Sequence, residues 1–277
     1  KELGLDGWVA PMTCYFNWER YSPTLKNIEL MLTMCRDEGG EGAVAYSVHD
    51  PAWADHEMLL AAYAWNFAAV PSPDGQIERW ARARFGAAAP SFGEATETLR
   101  QATGRAALSR CYYYRYSYCR EQGPWPRPYP GEPLEALAQM DGDPAVDLRL
   151  SVAEAATAEA ALQEVAGVAD LGSDEVACAR SLAGVAARIR GIASTFAWLL
   201  DLRTAIGANA VDAAWAEACA AQRGELVEAM AVMESHLPEW LVPSALMGLG
   251  PLMAFLEQLE GDLRQVAAGS LAAADLR

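Results

Sequence analysis

The chain has 277 residues, and its 37 acidic side chains outnumber its 21 basic ones, so the formal net charge is −16. This charge excludes sequence-independent binding to nucleic acid, which requires Lys and Arg to neutralise phosphates, and it disfavours an anionic membrane surface. With 52% hydrophobic and 21% charged residues, the chain can bury a core and is not a disordered tail. Alanine is densest after residue 150, which predicts a mainly α protein.

Two apolar runs near the start of the chain, at 6–16 and 43–48, are predicted to be buried strands. Both are too short for a helix, and aromatic and β-branched residues are frequent in them. A predicted helix lies between the two runs and another follows the second. Because parallel strands are joined by a crossover helix of this kind, residues 1–73 are predicted to form two strand–helix units of a parallel sheet.

Both helices of these units are amphipathic. The first helix begins at Ser22, the N-cap candidate. Pro23 takes the first helical position, where the N–H that proline lacks would have no partner within the helix, and the helix ends at Gly39. The second covers about 55–67. Their apolar stripes consist of Leu25, Ile28, Leu32 and Cys35 in the first helix, and of Leu59, Leu60, Tyr63 and Phe67 in the second.

Residues 74–144 are predicted to be a connecting region that starts with two helices. Asp74 is the expected N-cap of a helix that ends at Phe85. Ser91 and Glu94 have the spacing of a capping box for the next helix, which ends at Gly104.

The rest of the connecting region is rich in Tyr and Pro. Five tyrosines are interspersed with Arg110, Arg115 and Arg120 between 105 and 120, which favours aromatic packing with cation–π pairs over base stacking in so acidic a chain. The segment 124–130 contains four prolines, so it cannot be a regular helix or a central strand and is the best candidate for a linker.

Residues 145–277 are predicted to form an α-helical bundle that folds independently. Ser151 and Glu154 form a second possible capping box at its start. Its helices are expected at about 151–170, 173–206, 209–236 and 251–268. The candidate core positions recur at helical spacing and are Ile189, Ile192, Phe196, Leu199, Leu226, Met230 and Met233.

Aromatic and hydrogen-bonding residues follow both predicted strands. Ligands bind beyond the carboxyl ends of parallel strands, where loops converge and helices begin. Aromatic rings stack on the C–H faces of sugars, while Asn, His and Asp reach the hydroxyl groups. We therefore predict a sugar-binding site that consists of Tyr15, Asn17, Trp18, His49, Asp50 and Trp53.

Simpler roles are available to some residues near these strand ends. Trp18 and Trp53 can seal the end of the barrel or sheet without touching a ligand, and Asp55 can be the N-cap of its helix. The sequence leaves these alternatives open.

Residues from about 4 to 90 resemble the last two strand–helix units of a glycoside hydrolase barrel, most closely those of the β-N-acetylhexosaminidase-like families, including family 20. Those enzymes have an aromatic-rich final strand, a Trp followed closely by an acidic residue, and a closing helix that ends in Ala-Trp. Residues 77–86 are similar to the helix that opens the helical extension of several such families. The other matching segments are 6–12, 16–18, 42–47, 53–55 and 61–66.

One element of the family pattern has no counterpart in the chain. The resemblance places a catalytic acidic pair at the end of the fourth barrel strand, and residues 1–277 contain no matching segment. It therefore implies the C-terminal portion of a longer glycoside hydrolase, which contributes sugar-pocket residues but no catalytic residue. Asp50 and Asp55 are a disfavoured replacement pair. The alternative is a non-catalytic helical domain for dimerisation or for docking another protein.

No cofactor or metal is expected. His49, His56 and His236 lack the spacing of metal ligands, and no complete dinucleotide or hydrolase-elbow motif occurs. The expected partner is a carbohydrate, bound through the full-length enzyme. Neither nucleic acid nor a membrane is expected as a partner. Strand edges at 6–16 and 43–48 would also allow a homodimer.

The cysteines favour a cytoplasmic location. The six of them form no Cys-x-x-Cys pair and are predicted to be reduced and buried, with a Cys111–Cys119 bridge as the weaker alternative. Lys1–Gly4 has no apolar region typical of a signal peptide. The uncharged run 240–256 is interrupted by Pro and Gly, which predicts helix ends and a turn instead of a membrane span.

Overall fold

The structure is a computed structural model that describes residues 7–11, 22–45, 50–111, 131–235 and 249–276. Over these ranges the protein is mainly α-helical with two short strands, which confirms the predicted fold class. The chain forms two compact units, Lys1–Thr103 with Thr157–Val185, and Gly104–Ala156 with Ala186–Arg277. These bounds differ from the ranges 1–73, 74–144 and 145–277, and the independent folding of the last range stays a prediction.

The elements follow one another as helices after a single β–α–β crossover. They are β1 (Trp8–Val9), α1 (Ser22–Asp37), β2 (Gly42–Ala43), α2 (Ala54–Asn66), α3 (Pro73–Phe85), α4 (Ala89–Thr103), α5 (Gly131–Ala138), α6 (Pro144–Ala166), α7 (Ser173–Gly207), α8 (Ala213–Glu234) and α9 (Leu249–Ala267). Residues 106–111 are also helical.

The two strands pair in parallel, as the strand–helix–strand order predicts. Trp8 is opposite Gly42 and Val9 is opposite Ala43. A Cβ atom at position 42 would come within 2.9 Å of the Trp8 ring, so a larger residue there would require this exposed ring to shift. The N–H of Val44 donates to the carbonyl of Val9 at 2.9 Å and extends the ladder by one bond.

The paired segments are much shorter than the predicted strands 6–16 and 43–48. β1 ends at Val9, and Pro11, which has no N–H to donate to a ladder, follows two residues later. Residues 12–16 and 46–48 lie outside the described ranges.

The start of α3 corrects a predicted cap. Ser72, not Asp74, is the N-cap, because its Oγ accepts a hydrogen bond from the N–H of Gly75 at 3.1 Å. Pro73 occupies the first helical position and Asp74 lies in the first turn. The predicted end is correct, since Gly86 follows Phe85 with a φ of 52° that only glycine adopts readily.

Both predicted capping boxes are wrong because each helix begins earlier. A short 3₁₀ helix, Gly86–Ala88, leads directly into α4 at Ala89, so Ser91 lies inside that helix. Before α6, the Asp143 carboxylate accepts hydrogen bonds from the N–H groups of Ala145 and Val146 at 2.9 and 3.2 Å, and Pro144 is the first residue of the helix. Ser151 is therefore buried in the middle of α6.

The core of the first unit joins the crossover helix to α2. Ile28 and Leu32 of α1 and Leu59 and Tyr63 of α2 form a buried cluster, against which Val9, Leu25, Ala43, Met58, Leu60, Phe67 and Val70 pack. These residues include most of the predicted apolar stripes of both helices. Burial and the nearby Glu29 carboxylate raise the pKa of the Tyr63 phenol to about 12.

The core of the second unit contains most of the positions predicted from periodicity. Ile189, Ile192, Phe196 and Leu199 of α7 are buried, as are Leu226 and Met233 of α8, whereas Met230 is half-buried. At Gly191 a Cβ atom would lie 3.1 Å from the Leu226 side chain, so glycine allows α7 and α8 to approach closely.

Four cysteines of the described ranges are buried free thiols, as predicted: Cys35, Cys111, Cys178 and Cys219. Cys14 and Cys119 lie outside these ranges, as do the segment 124–130 and His236. Across the part of the chain that the structure describes, no helix has the length and hydrophobicity that a membrane crossing demands.

Cys219 provides a test of the packing of α8 on α9. Burial, with a further contribution from Glu260, raises the pKa of its thiol to about 12, and the thiol donates to the carbonyl of Leu256 at 3.3 Å. Because the folded pKa lies above the unfolded value, this stabilisation is complete below about pH 9 and is lost as the pH rises toward 12.

We therefore expect Cys219 to resist iodoacetamide in the folded protein near pH 8 and to react fully once guanidinium unfolds the chain. Peptide mapping by mass spectrometry measures both extents. Equal labelling of Cys219 in the native and the unfolded protein would contradict the packing.

Candidate functional site

A capped turn begins at Asp50, seven residues after β2 along the chain. Asp50 is the N-cap of a 3₁₀ helix, Pro51–Trp53, and its Oδ1 accepts a hydrogen bond from the N–H of Ala52 at 2.9 Å. This cap fixes the direction in which the chain enters α2. Asp50 is buried, so a desolvated carboxylate stands at the predicted sugar site.

Trp53 has no exposed surface. Its indole meets the ring of His56 edge-on, with centroids 5.1 Å apart and planes at 76°. Trp53 therefore packs inside the first unit, and for this residue both the sealing of a barrel end and a contact with a sugar stay predictions.

Asp55 and His56, in the first turn of α2, form a buried pair. The Nδ1 of His56 lies 2.7 Å from Oδ1 of Asp55, and the same oxygen accepts from the His56 N–H at 3.0 Å. Both side chains are buried. The carboxylate therefore holds the ring proton on Nδ1 and fixes the orientation of the ring. Asp55 is not an N-cap, because α2 begins at Ala54 and Asp55 bonds its neighbour instead.

A cavity of about 480 Å³ opens beside this pair. Asp55 and His56 contribute to its lining, together with Leu25 of α1 and residues of α3 and α4. Every lining residue belongs to the first unit. We call it the α2–α3–α4 cavity.

A second cavity of about 320 Å³ lies next to Asp50, also within the first unit. Glu57, Arg84 and Glu175 help to line it. The guanidinium of Arg84 bonds the Glu175 carboxylate and lies 3.5 Å from Oδ2 of Asp174. Asp50 thus faces space that a small polar ligand could occupy.

The described residues include only two of the six predicted sugar ligands, Asp50 and Trp53. The other four, Tyr15, Asn17, Trp18 and His49, lie outside the described ranges.

The Asp55–His56 pair was not predicted as a unit. A signal for it exists in the sequence, because His56 precedes Leu59 and Tyr63 by three and seven residues on the buried stripe of α2. An ionisable residue on an apolar stripe indicates a buried partner.

Within the described ranges, no group of three or more His, Cys, Asp and Glu side chains has the arrangement of a metal site. Comparison of the chain with protein-family models, with curated proteins and with solved structures finds no match.

Proposed function

We propose that this chain is the C-terminal portion of a β-N-acetylhexosaminidase-like glycoside hydrolase. Residues 1–73 would be the last two strand–helix units of its barrel, and the α-helical remainder its extension. The chain would contribute Asp50, Trp53 and the other predicted ligands to the sugar pocket, and the catalytic acidic pair would come from residues that precede Lys1.

The parallel β1–α1–β2 crossover is the observation that carries this proposal. β1 and β2 are adjacent and parallel, and the Asp50 turn begins seven residues after β2 along the chain. In parallel α/β sheets, ligands bind beyond the carboxyl ends of the strands, and the proposal assigns the Asp50 turn to that region. The cavity beside Asp50 supplies space for a ligand there.

Apolar side chains on the outside of this crossover also support a larger sheet. Trp8 of β1, Leu30 and Met34 of α1, and Val44 after β2 are all exposed. A two-stranded sheet has little stability alone, and further strand–helix units would cover such residues.

The coding sequence upstream of Lys1 tests the proposal. We expect it to encode six further strand–helix units, with an acidic pair at the end of the fourth strand. An unrelated upstream sequence would refute the proposal and favour the alternative, a non-catalytic domain that uses the exposed apolar residues for dimerisation or docking.

The isolated chain is expected to have no glycosidase activity. Glycoside hydrolysis needs two carboxyl groups placed across the scissile bond, and general acid assistance alone contributes on the order of 10² to 10⁴ in rate. The rate at which the chain hydrolyses a panel of aryl glycosides measures this activity, with a buffer blank as the control. Turnover that the Asp50→Asn variant abolishes would show that the chain contains its own catalytic carboxylate.

A further inference from the structure

We propose that the α2–α3–α4 cavity binds a small organic cation that has an apolar body. This proposal does not depend on the glycoside hydrolase assignment, which uses the turn at Asp50 and its separate cavity. It rests on the size of the cavity, its apolar wall and the charges that line it.

The cavity has the size and the wall of a small-molecule site. Its volume of about 480 Å³ is within the range of roughly 300 to 1,000 Å³ that is typical of ligand pockets. Leu25, Ile77 and Pro90 supply accessible apolar lining. Phe92, which also borders the cavity, is fully buried and stacks on Phe85 with centroids 3.9 Å apart and planes at 16°, so this part of the wall is rigid.

The charges around the cavity are mainly negative. Five carboxylates line it, those of Asp55, Asp74, Glu78, Glu94 and Glu97, against two guanidinium groups, those of Arg82 and Arg100. Each guanidinium is already paired with a carboxylate of its own helix. Arg82 lies 2.5 Å from Glu78, and Arg100 lies 2.6 Å from Glu97 and bonds it at two points.

Asp55 is buried and already bonded to His56. Two carboxylates then remain for a ligand to meet. Asp74 and Glu94 are exposed, and among the described residues neither side chain has a hydrogen bond or ion pair. A cation in the cavity would gain from both, whereas an anion would be repelled.

An apolar group on the ligand would fit the apolar lining of the cavity. Leu25, Ile77 and Pro90 can pack against an aromatic or aliphatic group of the ligand. The ligand class that fits is therefore an aryl-alkyl or alkyl amine in its protonated form.

Isothermal titration calorimetry of the whole chain with 2-phenylethylammonium tests the proposal. The comparison ligands are 3-phenylpropionate, which reverses the charge, and 2-phenylethanol, which removes it. We expect saturable binding of the ammonium compound that weakens with added salt. We expect no binding of the carboxylate and weaker binding of the alcohol. Absence of saturable binding of the ammonium compound, or equal binding of the carboxylate, would overturn the proposal.

A charge variant separates local attraction from the general negative field. Asp74→Asn with Glu94→Gln is expected to weaken binding about tenfold. The control, Asp170→Asn with Glu234→Gln, removes two exposed carboxylates that do not line the cavity and changes the net charge equally. Equal loss in both variants would overturn the proposed site.

A filled cavity gives a second, uncharged test. Gly93 lines the cavity from α4, and a Cβ atom there meets no other atom within 4 Å, so Gly93→Leu occupies the cavity without a backbone clash. Helix propensity favours this change. Gly261→Leu in α9 is the control, because Gly261 has equally open surroundings and does not line the cavity. Binding should be lost in Gly93→Leu and kept in Gly261→Leu. Unchanged binding in Gly93→Leu would place the ligand elsewhere.

Discussion

Replacement of Phe196 by Ala is expected to lower the free energy of unfolding by about 3 to 5 kcal/mol. Phe196 has no exposed surface, and it lies in α7 among other buried positions of the second unit, Ile192 and Leu199. Truncation removes its apolar contacts and leaves a cavity that tightly packed helices cannot close. Urea unfolding followed by circular dichroism at 222 nm measures the change.

Val227→Ala is the matched control for Phe196→Ala. Val227 lies in α8 of the same unit but is about half exposed, so its truncation should change stability by about 0.5 kcal/mol or less. If Phe196→Ala cost no more than this control, the proposed core of the second unit would be wrong.

Replacement of Asp55 by Ala is expected to destabilise the first unit by about 3 kcal/mol. The change leaves the buried His56 ring without the carboxylate that lies 2.7 Å from its Nδ1. Asp55→Asn keeps an oxygen acceptor at this place, so its cost should be smaller. The measurement is again urea unfolding.

Asp74→Asn is the control for the Asp55 variants, because Asp74 is an exposed carboxylate of the same unit. Its effect should stay within about 0.5 kcal/mol. An Asp55→Ala variant as stable as Asp74→Asn would mean that the buried pair contributes nothing to the fold.

The elements that local rules determine could be predicted from the sequence. α1 begins at Ser22, one residue before the predicted first helical position Pro23, and ends before Gly39; the four-residue spacing of Ile28 and Leu32 places both in the core. The parallel pairing of β1 with β2 follows from the crossover helix between them. Periodicity also identified Phe196 and Leu226 as core residues.

The starts of two helices could not be predicted from capping-box spacing alone. Ser and Asp can cap a helix or lie inside one, so Ser91 and Ser151 satisfied the pattern while the helices begin at Ala89 and Pro144. A more specific signal was present. Ser or Asp directly before Pro begins the helices at Ser72 and Asp143 and the turn at Asp50, because Pro has the φ of a first helical residue.

The surroundings of the candidate site depend on packing that a local pattern does not contain. The α2–α3–α4 cavity brings Asp55 together with Asp74 and Glu94, which are 19 and 39 residues away along the chain. Trp53 illustrates the same limit, because the aromatic residue that suits a sugar face is fully buried against His56. Whether an aromatic side chain faces a ligand or a neighbouring helix is decided by tertiary packing.

The most direct test of the proposed function is hydrolysis of p-nitrophenyl N-acetyl-β-D-glucosaminide by a polypeptide that carries the upstream-encoded residues joined to Lys1. The isolated chain is measured at the same concentration. We predict turnover by the longer polypeptide and none by the isolated chain, because the catalytic acidic pair would lie upstream and the sugar pocket would need both parts. A folded longer polypeptide that fails to hydrolyse this substrate and other aryl glycosides, or an isolated chain that is equally active, would contradict the account.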